Sequence, residues 1–416
     1  MLSVSSCPQV VHIATRYLRG GSEQRIRDIV ASLPEADHHL ILGFESDLEL
    51  ARSQLRPSTL TVVPSLVREP DVVKDIIALT KLAALLRRSP CDLVVTHQSK
   101  AGVLGRAAAR MSHRAPVVHS LSMANFGPGY SRWQDRLYRT LEARLERLTT
   151  SYAVAGGDLA SRYQSIGVPR SKLNVIRSGV SLPAVEPLSD DARGQLLEDL
   201  GIPRDRPLIL YLGSLEPRKN VLSLPSFLLQ LLAIDAAARP FLAVAGEGAL
   251  SSELECRLRE MGLSQDAALV GFVTEPQPLI AAANAIVLLS SAEGISQALI
   301  QAAAAGTPFV AYAVDGAQEL LDVGAVGAVV ALGDLSAAAR AVSELLRRPR
   351  GLAPSIDLSE WDGTEITAGY RRVFESALSG PANGDGPTGG EPIDRLVRPA
   401  AGAALLIGEH ESGTRA

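Results

Sequence analysis

One feature of this chain narrows its fold more than any other. Short runs of apolar residues alternate with amphipathic stretches, and the alternation occurs twice. "VVHIAT", "HHLILGF", "LTVVP", "DLVVTH" and "APVVHSL" form the first set, separated by helical patterns such as "SEQRIRDIVASL" and "VVKDIIALTKLAALLRRS". A strand apolar on both faces must be covered on both faces, which implies a parallel sheet between helical layers. A polar, proline-bearing stretch, "SGVSLPAVEPLSDDARGQLLEDLGIPRDR", then intervenes. The pattern restarts with "PLILYLGSL", "PFLAVAG", "AALVGFV", "AIVLLS" and "PFVAYAV". The expected fold is α/β, with two doubly wound Rossmann-like domains facing across a cleft. The linker is expected around Pro183 to Pro187, dividing residues 1–185 from 186–380. A chain of 416 residues suits two such domains. "SEWDGTEITAGYRRVFESALSG" reads as a final helix, free to pack back on the first domain. Residues 381–416, opening with "PANGDGPTGGEP", are expected to be disordered.

Composition removes several function classes. The net charge of −4 argues against nucleic acid as the main partner. Three cysteines, Cys7, Cys91 and Cys256, lie far apart, so neither a disulfide framework nor a metal-type spacing arises. A reducing cytoplasm is the natural setting. "MLSVSSCPQVVHIATRYLRGG" has no basic segment leading into an apolar one, so no signal peptide is expected. The longest apolar runs, such as "AGAALLIG", fall short of a membrane span. Contact with a membrane surface stays open. The helix "RWQDRLYRTLEARLERL" carries Arg132, Arg136, Arg139, Arg144 and Arg147. Trp133, Leu137, Leu141, Leu145 and Leu148 are expected to form its core stripe. The arginines then form a solvated face with Glu142 and Glu146 or meet anionic lipid; the solvated face is the plainer reading.

Three strand-to-helix turns carry candidate chemistry. In "SSAEGISQALIQAAAAGTPFV" a strand ends near Ser290 and a helix runs from about Ser296 to Ala305, with Gly306 at C′ and Pro308 beyond. The backbone N–H groups at Gly294, Ile295 and Ser296 would suit a phosphate. Glu293 in the same turn could accept hydroxyl hydrogen bonds, or merely complement the helix dipole. Gln301 interrupts the alanine face. In "YLGSLEPRKNV" the strand is followed by Ser214, then Arg218 and Lys219, two cations placed to neutralise a diphosphate leaving group. A solvated surface pair is the commoner meaning of an isolated "RK". In "ATRYLRGGSEQRIRDIV" the paired Gly20 and Gly21 let the backbone approach a ligand, or simply turn. No "GxGxxG" follows any strand, which disfavours a nicotinamide dehydrogenase, and no carboxylate pair suits a metal.

Together these segments resemble the family 4 glycosyltransferases, retaining enzymes of the GT-B fold. The resemblance covers most of residues 9–380. It rests on "GGSE", "GSLEPRKN", "AGEG" at Gly246–Gly248 and "EGISQALIQAAAAGTPFVAY". "DLVVTHQSKAGVLGRAAAR" is similar to members that build bacterial surface polysaccharides. The resemblance implies a cytoplasmic, metal-independent transferase that needs no cofactor. It would move a sugar from a nucleoside diphosphate donor to a sugar, lipid-linked or small-molecule acceptor. Glu293, Lys219 and Arg218 would then be catalytic. Gly20, Gly21, Ser214, Gly246, Val273, Gly294, Ile295, Ser296 and Gln301 would line the donor site. His97, Lys100, Ser122 and Asn125 would face the acceptor.

The chain departs from the family pattern at three of these positions. Gln301 replaces the second glutamate of the acidic motif, Ser214 stands where many members have arginine, and Ser122 where many have histidine. A glutamine accepts fewer hydrogen bonds than a carboxylate, so the site is expected to be less committed to a full ribose. The departures also leave a second reading, a non-catalytic nucleotide-sugar-binding homologue acting as a partner subunit.

Overall fold

A computed structural model describes residues 7–18, 21–112, 115–127, 130–178, 188–294, 296–348 and 356–379. The expected linker at Pro183–Pro187 and the tail 381–416 lie outside them, as do Gly20 and Ile295. The first sheet is built from β1 (Gln9–Ala14), β2 (Asp37–Gly43), β3 (Thr59–Val63), β4 (Leu93–His97), β5 (Val117–Leu121), β6 (Ser151–Val154) and β7 (Leu173–Val175). Its order is β3-β2-β1-β4-β5-β6-β7, and every pairing is parallel. Its helices are α1 (Gly21–Ser32), α2 (Leu48–Leu55), α3 (Val72–Arg88), α4 (Ser99–Ser112), α5 (Arg132–Leu145) and α6 (Gly157–Gln164).

The second unit opens with α7 (Asp190–Asp199) and alternates β8 (Leu208–Leu212), α8 (Leu224–Ile234), β9 (Phe241–Ala245), α9 (Ser251–Glu260), β10 (Ala267–Gly271) and α10 (Gln277–Ala282). It continues through β11 (Ala285–Leu288), α11 (Gln297–Ala304), β12 (Phe309–Tyr312), α12 (Ala317–Asp322), β13 (Gly327–Val330) and α13 (Leu335–Leu346). The parallel sheet runs β10-β9-β8-β11-β12-β13. Its central strands are buried on both faces, as their unbroken apolar sequences require. α14 (Gly363–Ser379) returns to the first unit. Its Ile366, Tyr370, Val373 and Phe374 pack with Val10 and Ile29, and with Val95 and Val118 of the first sheet.

The expected α5 stripe holds at its carboxyl end, where Leu145 is buried and Leu141 and Leu148 are half-buried, and fails at its amino end. Trp133 and Leu137 are exposed, at 67% and 52%, whereas Glu142 is sealed. The reason is a buried ion pair. Both Glu142 oxygens accept from Arg106 Nη2 of α4 at 2.9 Å, and neither side chain has any exposed surface. Asn125 Nδ2 also donates to Glu142 at 3.1 Å. Rotating Glu142 inward carries the Trp133–Leu137 strip outward, because the helix has only one buried face.

Candidate functional site

Strand order alone marks where a ligand belongs. In an open parallel sheet the crevice forms where neighbouring strands send their connections to opposite faces, at the carboxyl ends. That point lies between β8 and β11 in the second sheet and between β1 and β4 in the first. The turn after β8 carries Arg218 and Lys219, and the turn after β11 carries Glu293. The fold therefore brings Glu293 onto Arg218 and Lys219, which lie 75 and 74 positions before it in the chain.

Glu293 is the centre of this cluster. Lys219 Nζ donates to its Oε1, and Arg218 Nη1 donates to its Oε2 at 2.9 Å. Arg218 Nη1 also reaches the Ala292 carbonyl at 3.1 Å. The Arg218 carbonyl in turn accepts from Ser291 N and Ser291 Oγ, each at 3.0 Å, which pins the two turns together. Burial by itself pushes the Glu293 carboxyl up. The charges of Lys219 and Arg218 and their hydrogen bonds outweigh it, so the group sits below the usual carboxylate range and is ionised. The cluster holds two cations and one anion, and its surplus positive charge suits an anionic ligand. Arg218 remains 36% exposed and Lys219 12%, so the arginine is the freer of the two.

The surrounding backbone is cut to fit. A Cβ on Gly246, which has φ +142°, would sit 1.9 Å from the Gly213 carbonyl oxygen. Ser214, beside it, accepts from the Tyr211 hydroxyl through its own carbonyl at 2.9 Å. Ser296 is the N-cap of α11 with extended backbone and no side-chain capping bond. Gln301 lies in the second turn of α11, partly exposed, and Gly306 closes the helix with φ +68°. Val273 follows β10, partly buried against the second core.

The other half of the cleft comes from the first unit. A Cβ on Gly294 would sit 1.8 Å from the Ser122 carbonyl oxygen, so the Glu293 turn and the loop after β5 meet directly. A small cavity there is lined by Met123, Phe126, Tyr130, Arg162, Glu293 and Asp315, among others. Ionic contacts hold the two units around it. Arg162 Nη2 donates to Asp315 at 2.5 Å. Burial, partly countered by Arg162, pushes the Asp315 carboxyl up to about 6. Glu319 of α12 accepts from Arg177 and, through Oε1, from the Asp158 N–H of α6 at 3.2 Å.

His97 ends β4 at the first switch point, paired in register with Ala14 and Ser120. Gly21 begins α1 at the same sheet edge. Two residues expected to face an acceptor are engaged elsewhere. Lys100 is bound to Asp75 at 2.6 Å and to the Glu69 carbonyl, so its charge is already matched. Asn125 is buried and turned toward Glu142, behind the cleft. The bridges through Arg162, Arg177 and Glu319 went unread, because a lone charged residue gives no local sign of a partner 140 or more positions away.

Comparison with known proteins follows the same lines. Residues 20–179 match the "Glycosyl transferase 4-like domain" and residues 206–348 match "Glycosyl transferases group 1". The chain is 31% identical over 319 residues to a D-inositol 3-phosphate glycosyltransferase of Frankia alni, covering 69% of this chain and 75% of that protein. It is 28% identical over 276 residues to the UDP-Gal:alpha-D-GlcNAc-diphosphoundecaprenol alpha-1,3-galactosyltransferase of Escherichia coli, covering 66% of this chain and 71% of that protein. The crystal structure of Anabaena HepE in complex with UDP and glucose superposes with a TM-score of 0.67 at 17% identity, over 88% of this chain and 99% of that one. With two parallel sheets meeting at their switch points and both halves matched, the chain belongs to the family 4 glycosyltransferases of GT-B fold.

Proposed function

We propose that the protein transfers a sugar from a nucleoside diphosphate donor to an acceptor hydroxyl with retention of configuration. The observation that carries this reading is the Lys219–Glu293–Arg218 cluster at the switch point of the second sheet. The donor lies against the second unit. Its diphosphate takes hydrogen bonds from Lys219 and Arg218 in exchange for part of their contact with Glu293, and from N–H groups at the start of α11. Glu293, ionised, accepts from hydroxyls of the transferred sugar. The bond between the sugar's anomeric carbon and the phosphate oxygen breaks, and the acceptor oxygen bonds to that carbon on the same face. The departing phosphate oxygen takes the acceptor proton. Two cations beside the diphosphate do the work a metal does elsewhere, so the reaction is metal-independent. Support also comes from relatives, since the E. coli enzyme is named for UDP-Gal and HepE was crystallised with UDP and glucose.

The test is donor hydrolysis and transfer with a panel of nucleoside diphosphate sugars, in the presence of a chelator. Turnover of at least one donor is expected to persist. Binding of every donor with turnover of none would favour the non-catalytic partner subunit, and turnover restored only by a divalent ion would overturn metal independence. The same panel reads Gln301. A carboxylate accepts from both ribose hydroxyls through charge-assisted bonds, roughly twice as strong as neutral ones, whereas glutamine offers one carbonyl oxygen. Gln301→Glu is expected to shift preference from thymidine toward uridine diphosphate. Equal preference in the two proteins would show that Gln301 does not read the ribose.

The exposed strip of α5 bears on where the acceptor is met. Trp133 and Leu137 stand beside the exposed Arg132 and Arg136, a pairing suited to an anionic membrane surface that presents a lipid-linked acceptor. Cosedimentation with vesicles containing phosphatidylglycerol is expected to weaken about fivefold for Arg136→Gln, from roughly 1 kcal/mol per basic residue at such a surface. Equal sedimentation with neutral and anionic vesicles would remove this role. Among the described residues, no helix is long and apolar enough to cross a membrane.

A further inference from the structure

Three histidines form an unusual polar line through the first core. His38 of β2, His12 of β1 and His97 of β4 are 8%, 1% and 3% exposed. They lie on the sheet face covered by α1, running obliquely across three adjacent strands toward the carboxyl edge. His38 Nε2 is 2.9 Å from the Leu33 carbonyl oxygen. His38 Nδ1 is 2.9 Å from His12 Nε2, and His12 Nδ1 is 3.3 Å from His97 Nε2.

The protons in this line have only one consistent arrangement. A carbonyl oxygen accepts and never donates, so His38 carries its proton on Nε2. A neutral imidazole has one N–H, so His38 Nδ1 is an acceptor and His12 Nε2 must donate to it. By the same step His12 Nδ1 accepts from His97 Nε2–H. His97 is therefore left with a bare lone pair on Nδ1, an atom with no hydrogen-bond partner among the described residues. Burial, and after it the charge of Arg25, pushes His97 down to about 3, and burial likewise lowers His12 and His38, so all three rings stay neutral. The peptide after His97 adds a second sign of a built site. Gln98 holds a left-handed φ of +62°, a conformation that a non-glycine residue seldom adopts.

We propose that His97 offers this fixed Nδ1 lone pair to a hydroxyl of the acceptor, and that His12 and His38 are positioning residues that lock its tautomer. The proposal rests on the glycosyl-transfer reading above and specifies its acceptor side. A ring that can only accept at Nδ1 pairs with a neutral O–H. It has no favourable contact for an unprotonated phosphate or carboxylate oxygen, so on the glycosyl-transfer reading the group docked here is an acceptor hydroxyl.

The tautomer can be read in the free protein by ¹⁵N-histidine NMR, with His97→Phe identifying the signals. The expected result is an unprotonated Nδ1 and a protonated Nε2 at His97. His12→Leu is expected to abolish the fixed tautomer. His12→Gln is expected to keep it, since the amide can donate toward His38 and accept from His97. A proton on Nδ1 in the natural protein, or a tautomer unchanged in a folded His12→Leu, overturns the relay. Methyl α-glucoside is the hydroxyl probe and inorganic phosphate the control. Displacement of the Nδ1 signal by the glucoside alone is expected; displacement by neither, or equally by both, overturns the docking role. In His12→Leu and His12→Gln donor hydrolysis without acceptor should stay within about twofold of the natural protein, since the relay acts on the acceptor side. Absence of donor turnover in the natural protein would instead count against the glycosyl-transfer reading.

Discussion

Lys219→Ala is expected to lower turnover ~10²–10³-fold without unfolding the protein, the usual effect of deleting one charge that stabilises a developing anion. The lysine is held on a short turn after β8, its carbon chain near Gly213 and its ammonium on Glu293. Truncation removes the cation closest to the buried carboxylate but leaves Arg218 to neutralise it. Arg218→Ala should cost less, because that side chain is more exposed and its charge is more fully screened by water. Glu293→Gln separates binding from chemistry. It frees both cations for the diphosphate, so affinity for uridine diphosphate is expected to hold or rise while turnover falls. Unchanged kcat in folded Lys219→Ala would remove the lysine from the mechanism.

Glu142→Ala should be the most destabilising change in the first unit. It strands the Arg106 guanidinium, which has no exposed surface, and it removes the acceptor of Asn125 Nδ2. Breaking one side of a buried pair typically costs ~3–5 kcal/mol. The lower end is expected here, because Arg106 Nε keeps the Gly102 carbonyl at 2.8 Å and Nη1 keeps the Thr149 hydroxyl at 3.5 Å. The paired change Arg106→Met with Glu142→Leu should be far milder, since no orphan charge remains. Urea unfolding monitored by circular dichroism distinguishes the cases. A loss under about 1 kcal/mol for Glu142→Ala would mean that water reaches Arg106 after all.

The sequence made most strands plain, edge strands β3 and β10 included, and left three short ones obscure. β8 and β9 are unbroken apolar runs, and β1, β2 and β4 each carry a core of consecutive apolar residues, as strands covered on both faces need. β6, β7 and β13 span only 4, 3 and 4 residues and carry too little pattern to stand out. The turn of Glu293 could be placed because Gly306 and Pro308 close its helix. Its partnership with Lys219 follows from strand order, which no local window contains. The amino-terminal half of the α5 stripe, Trp133 and Leu137, was misassigned for a related reason, while Leu145 is buried as expected. Leucine spacing indicated one buried stripe, but the ion pair with Arg106 decided the rotation, and nothing near Glu142 in the chain announces that partner. His12 and His38 sat unnoticed within strands because only the register across β2, β1 and β4 aligns them.

The return of α14 has a consequence for how the molecule is made. The face of the first sheet that carries Val10, Val95, Val118 and Ala153 is completed by Ile366, Tyr370, Val373 and Phe374. During synthesis, roughly 200 residues of the second unit must leave the ribosome before those side chains arrive, taking about 10–40 s at ordinary elongation rates. Until then α1 covers only part of that apolar face, through Ile29. The carboxyl-terminal half has its own core from Leu197 to Trp361 and can close without help. The first unit closes its other apolar clusters with its own residues, so this one face, rather than the whole unit, is completed only when α14 arrives.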